Sequence, residues 1–152
     1  MTLPPSSLLS AEAKRVMIRQ QAIKPPEFGN DIDAARAFWG RYNDERLAEI
    51  RRHFRTVERR ETIGGVAVDV VRPAVGVAPR NRNRVLINVH GGAFLWGAGS
   101  GALVEAVPIA ATMGIEVVTV DYRLAPEHRF PAASQDVAAV YAALLKRYRP
   151  CL

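Results

Sequence analysis

The 152-residue chain has a single cysteine, Cys151. That excludes an internal disulfide and any metal site built on several cysteines. It also has no apolar run approaching the roughly 18 residues that a membrane helix needs. The first stretch, MTLPPSSLLSAEAKR, lacks a basic segment ahead of an apolar core and carries Glu12 early, so no secretory signal is expected and a cytoplasmic location is. Internal repeats and low-complexity segments are absent. Acidic residues are the scarcer charge, 15 against 21 lysines and arginines, giving a net charge of +6. The excess gathers in Arg51-Arg52-His53-Phe54-Arg55 and Arg59-Arg60, a stretch able to attract nucleic acid or an anionic surface. Glu45, Glu49, Glu58 and Glu61 are interleaved with it, and pairs such as Glu49 with Arg52 make a solvated helix face the expected outcome.

What is present suits one globular domain, since 49% of residues are hydrophobic and 24% charged. Ser10, with Glu12 in the first turn, opens a helix to about Gln21 that Lys24-Pro25-Pro26 stops. Asn30 or Asp31 caps a second helix whose residues Ala35, Phe38, Trp39, Tyr42, Leu47, Ile50 and Phe54 recur at helical spacing. The two helices are expected to form one N-terminal unit, residues 1–55. From Thr56 the period changes to that of strands, and Gly64-Gly65 joins 56–63 to 66–72 as an antiparallel hairpin. Apolar strands 84–89 and 115–120 flank a small-residue helix, 101–113, that Gly114 ends, which is a βαβ unit of a parallel sheet. A last helix is expected over 132–148, capped by Ser134.

In such a sheet ligands gather at the carboxyl ends of the strands, where Val89-His90-Gly91-Gly92-Ala93-Phe94 lies. Gly91-Gly92 alone reads as a tight strand-to-helix turn. The longer text reads further: His90-Gly91-Gly92-Ala93 is followed by Asp121-Tyr122-Arg123-Leu124-Ala125-Pro126-Glu127-His128-Arg129-Phe130-Pro131-Ala132-Ala133. This ordered pair of motifs resembles the hormone-sensitive-lipase-like α/β hydrolases over residues 56–148, with the N-terminal helices resembling that family's cap segment more loosely. The resemblance implies a truncated α/β-hydrolase fold, with a helical cap segment (1–55) and the N-terminal half of the core (56–152) holding a partial, mostly parallel sheet. It implies ester hydrolysis of a small-molecule substrate with no cofactor or metal. The N–H groups of Gly92 and Ala93 are then the expected oxyanion donors, with Gly91 keeping the turn open. His90 is expected to brace the loop, Arg123 to pair with Glu127, and Asp121 to accept backbone N–H groups, all as scaffold.

The family's serine sits in a G-x-S-x-G elbow, and this chain has none; Ala98-Gly99-Ser100-Gly101-Ala102 places its glycines wrongly. The family's acid and histidine are missing too. Cys151, next to the last residue, is not expected to serve as nucleophile. The expectation is therefore a chain that carries cap and oxyanion loop but is inactive alone, with an exposed strand edge at 85–89 able to associate with itself or with a C-terminal half. The alternative is a non-catalytic binding module, or a basic nucleic-acid-binding fragment, although nucleic acid and a membrane span are not expected.

Overall fold

The structure, a computed structural model, describes residues 6–148; Cys151 lies outside them. The chain falls into two compact units, Met1–Asn30 and Asp31–Leu152. The first holds helix α1, Ala11–Ala22, whose N-cap Ser10 accepts a hydrogen bond from the Ala13 N–H, and none of whose residues is buried. The second opens with α2, Ile32–His53, capped by Asp31 through the Ala34 N–H at 2.9 Å. Compactness thus divides the chain at Asn30 and not at residue 55, because α2 buries Ala35 and Leu47 within the second unit.

The hairpin strands are β1, Thr56–Ile63, and β2, Val66–Pro73. Next come β3, Val85–Asn88, helix α3, Ser100–Met113, strand β4, Glu116–Val120, and helix α4, Ala132–Leu145. Gly114 ends α3 in the left-handed conformation with its N–H on the Ala110 carbonyl. Helix α4 starts before the expected Ser134 cap: Pro131 occupies the N-cap position, with no side-chain cap. The sheet has the order β1-β2-β4-β3. It is mixed, and among the described strands the parallel character expected of the βαβ unit is confined to the β3–β4 pair.

The register sorts the core into two faces. Val71, Val117 and Leu86 lie on the side covered by α2 and α3, packing with Leu47, Leu103, Ala106 and Val107. Val68, Val70, Val118 and Val120 face α4, where they meet Val140 and Leu144. β-Branched residues suit a sheet covered on both sides, and each such side chain, fully buried, stabilises by about 1.5–3 kcal/mol. Among the described strands β3 pairs only with β4 and so stands at the sheet edge, as the strand order implied by the resemblance led us to expect. Among the described residues no helix is long and apolar enough to cross a membrane.

The hairpin turn meets α4 closely. A Cβ at Gly64, where φ is +62°, would lie 2.5 Å from the Ala139 carbonyl oxygen, whereas one at Gly65, φ +83°, would meet nothing within 4 Å. Gly65→Ala therefore carries backbone strain alone, about 1–3 kcal/mol. Gly64→Ala adds a collision with helix backbone and is expected to destabilise more than Gly65→Ala in urea unfolding; equal losses would show that turn and helix do not touch.

Candidate oxyanion site

β3 delivers the chain to His90, and the next residues form a loop that uses its carbonyls and spares its amides. The Tyr122 hydroxyl donates to the His90 carbonyl at 2.7 Å, and His90 Nδ1 lies 2.8 Å from the Gly91 carbonyl. The Gly92 carbonyl accepts from the Leu95 and Trp96 N–H groups at 2.9 and 3.1 Å, and the Phe94 carbonyl accepts from the Ala125 N–H at 2.9 Å. The Leu95 carbonyl accepts from Arg36 Nε at 2.7 Å. Among the described residues, no hydrogen bond takes the N–H of Gly91, Gly92 or Ala93.

This one-sidedness needs unusual backbone. Gly92, Ala93 and Phe94 all have positive φ, at +114°, +53° and +62°. For Ala93 and Phe94 this costs of order 1–3 kcal/mol each and persists only where the surroundings hold it. Gly92 has no alternative, because a Cβ there would collide with the Trp96 carbonyl. Successive amides in such a turn form a concavity that favours an anion. Gly91 and Ala93 are exposed, so a ligand can reach them.

Two sets of contacts hold the loop from behind. His90 is buried and its ring stacks on that of Tyr122, with centroids 4.2 Å apart and planes 10° from parallel. Burial pushes the Tyr122 phenol upward in pKa, which keeps it the donor its bond to the His90 carbonyl requires. With a proton on Nδ1 facing the Gly91 carbonyl, His90 Nε2 is a bare acceptor; it is buried and has no partner among the described residues. The second set comes from α2. Arg36 donates to the Leu95 carbonyl, to the Ala125 carbonyl at 2.9 Å, and to both carboxylate oxygens of Glu127 at 2.7 and 2.9 Å. One guanidinium thereby ties the loop after β3 to the loop after β4. Trp39, also on α2, stacks on Trp96 with centroids 6.5 Å apart.

Several side chains take partners other than those expected from the sequence. Arg123 does not pair with Glu127: its guanidinium holds the buried Asp136 of α4, which also accepts the Arg123 N–H at 2.9 Å. Arg36 takes Glu127 instead. The Asp121 carboxylate pairs with the Arg60 guanidinium and not with backbone N–H groups, because the hairpin places Arg60 and Asp69 beside it. Nothing in the sequence singles out Arg36, which is one polar residue of an amphipathic helix until tertiary packing gives it four acceptors. Among the described residues no cluster of three or more metal-ligating side chains occurs.

Residues 86–149 match the family model described as the alpha/beta hydrolase fold. An acetyl-hydrolase of Streptomyces hygroscopicus is 33% identical over 89 residues, covering 59% of this chain and 28% of that protein. The crystal structure of an esterase, E25, superposes with a TM-score of 0.80 at 30% identity, covering 96% of this chain and 46% of the other. An esterase of the bacterial hormone-sensitive lipase family gives 0.66 at 29% identity, covering 91% and 43%. The chain thus spans under half the length of each. Sheet, flanking helices and loop define an α/β hydrolase fold. Within that class the chain is similar to esterases, among them one of the bacterial hormone-sensitive lipase family.

The Arg36 contact holds the Glu127 carboxyl down from an ordinary 4.5 to about 2. A depressed carboxylate contributes stability that is fully present above its unfolded pKa and is lost as pH falls through the folded one. Arg36→Met should therefore flatten the decline of stability between about pH 4.5 and 2. Chemical denaturation across that range checks it, and an unchanged slope would mean that the pair is screened by solvent and contributes nothing.

Proposed function

We propose that this chain supplies the oxyanion donors and the α2 support of a carboxylic ester hydrolase acting on small-molecule esters, and that it does not turn over substrate alone. The single observation carrying this reading is the row of unused N–H groups at Gly91, Gly92 and Ala93 on a loop whose carbonyls are occupied. When a nucleophile adds to an ester carbonyl, negative charge collects on the oxygen. Fixed amides aimed there stabilise the transition state by roughly 2.7–4 kcal/mol per donor without needing to reorient. The names of similar proteins, esterase and acetyl-hydrolase, agree with such chemistry.

The rest of the machinery is proposed to come from a segment outside the described residues. Ser100 starts α3 and Ser134 lies in the first turn of α4. Among the described residues neither hydroxyl bonds to a histidine. Beside the loop, Ile87, Val89, Phe94, Tyr122, Val137 and Tyr141 line an open apolar groove of about 600 Å³ along the unpaired edge of β3. A strand added to that edge would bring a nucleophile alongside the amides and cover the groove. Residues 1–55 are proposed to act as a cap segment. The alternative reading, a basic binding module on the arginine-rich helix, has less support because Arg51 and Arg52 are held by Glu58 and Glu49, and Arg60 by Asp69 and Asp121.

The purified chain should hydrolyse p-nitrophenyl acetate no faster than buffer, and co-expression with a C-terminal half bearing a G-x-S-x-G elbow should yield turnover. Gly92→Ala keeps the N–H, but its Cβ would collide with the Trp96 carbonyl and turn the loop away, so in that pair it should cut kcat by about 100-fold or more, the size of one misplaced oxyanion donor. Turnover by the chain alone that vanishes in Ser100→Ala or Ser134→Ala would contradict the division of labour.

A further inference from the structure

A second concave surface lies at the other end of β3 and β4, away from the oxyanion loop. Arg59 of β1, Arg72 of β2, and Arg82 and Arg84 from the segment before β3 line a pocket of about 400 Å³. Its walls include Val57, Val77 and the carboxylate of Glu116. That carboxylate is already engaged: Arg72 Nε donates to one oxygen and the Tyr148 hydroxyl donates to the other at 2.8 Å. The guanidiniums of Arg59, Arg82 and Arg84 make no hydrogen bond or ion pair with the described residues. They contrast with Arg51, Arg52 and Arg60, whose charges are matched by carboxylates. Three unmatched cations from two separate segments therefore face one hollow.

We propose that this pocket binds a compact oligophosphate, a small molecule with two or more linked phosphate groups. Guanidinium is a planar fork that matches phosphate oxygens in pairs, and several forks converging from different directions suit a ligand carrying several oxyanions. The hollow has room for more than one phosphate. Its shape also separates it from a nucleic-acid surface. The arginines surround a concavity and are not strung along a helix or strand where they would track a backbone. The site shares no residue with the oxyanion loop, so its fate is independent of the esterase reading.

The test is a titration of the full 152-residue chain with pyrophosphate at low ionic strength, followed by ¹⁵N NMR of amides and arginine side chains. Saturable shifts are expected at Arg59, Arg82 and Arg84, with inorganic phosphate and succinate binding more weakly. Arg59→Ala and Arg82→Ala should each weaken pyrophosphate by about tenfold, the size of one lost charge-assisted contact. Arg41→Ala, an exposed arginine on α2, should leave affinity unchanged. Both pocket arginines are exposed and unpartnered, so the variants should fold; if Arg59→Ala does not, Arg82→Gln serves the same purpose. The proposal is overturned if no saturable shift appears or if Arg41→Ala weakens binding as much as the pocket variants. It is equally overturned if duplex DNA binds these residues more tightly than pyrophosphate.

Discussion

One guanidinium connects the parts of this protein that sequence keeps far apart. Arg36 sits on α2, yet its acceptors are the Leu95 carbonyl after β3 and the Ala125 carbonyl and Glu127 carboxylate after β4. Its side chain is 28% exposed and that of Glu127 53%. Solvent therefore weakens the charge attraction, and the two hydrogen bonds to backbone carbonyls fix the geometry. Their effect is to hold the loop by its carbonyls. The N–H groups of 91 to 93 share peptide units with the His90, Gly91 and Gly92 carbonyls, which the Tyr122 hydroxyl, the His90 ring and the Leu95 and Trp96 N–H groups engage from inside, so those amides point outward and stay available.

The left-handed backbone at Gly92, Ala93 and Phe94 is the cost of that arrangement, and the enclosing contacts explain how it persists. Arg36 pulls on Leu95, Trp39 stacks on Trp96, the Ala125 N–H holds Phe94, and Tyr122 holds His90. These partners come from α2 and from the loop after β4, and both are seated by the valine-rich core on the two faces of the sheet. Fold and site are linked in that sense: the sheet sets the distance between the two loops, and Arg36 spans it.

Much of the architecture could be read from spacing and punctuation. The hairpin around Gly64-Gly65, the βαβ unit and the Gly114 stop follow from periodicity and breakers, the exposed edge of β3 follows from the strand order that the family resemblance implies, and all occur among the described residues. The candidate site was not legible from spacing: Gly91-Gly92 alone reads as a tight turn, and the donor role expected of Gly92 and Ala93 comes from the resemblance of the two motifs to a known family. Side-chain pairing was not legible either. Arg123 and Glu127 are four apart, a spacing that pairs residues on a helix, but here they lie in a loop that turns them toward different helices, α4 and α2. The division of the chain into units was hidden for a similar reason: an apolar stripe on α2 says that something covers it, without saying whether that is a neighbouring helix or the sheet.

Amide hydrogen exchange on the folded chain tests the central claim most directly. If the loop is anchored through its carbonyls, the Gly92 and Ala93 amides should exchange at close to the rate of an unstructured peptide, while those of Leu95, Trp96 and Ala125 are protected. Protection at Gly92 and Ala93 equal to that of their neighbours would mean that those N–H groups are already bonded within the protein, and the site would have nothing to offer an oxyanion.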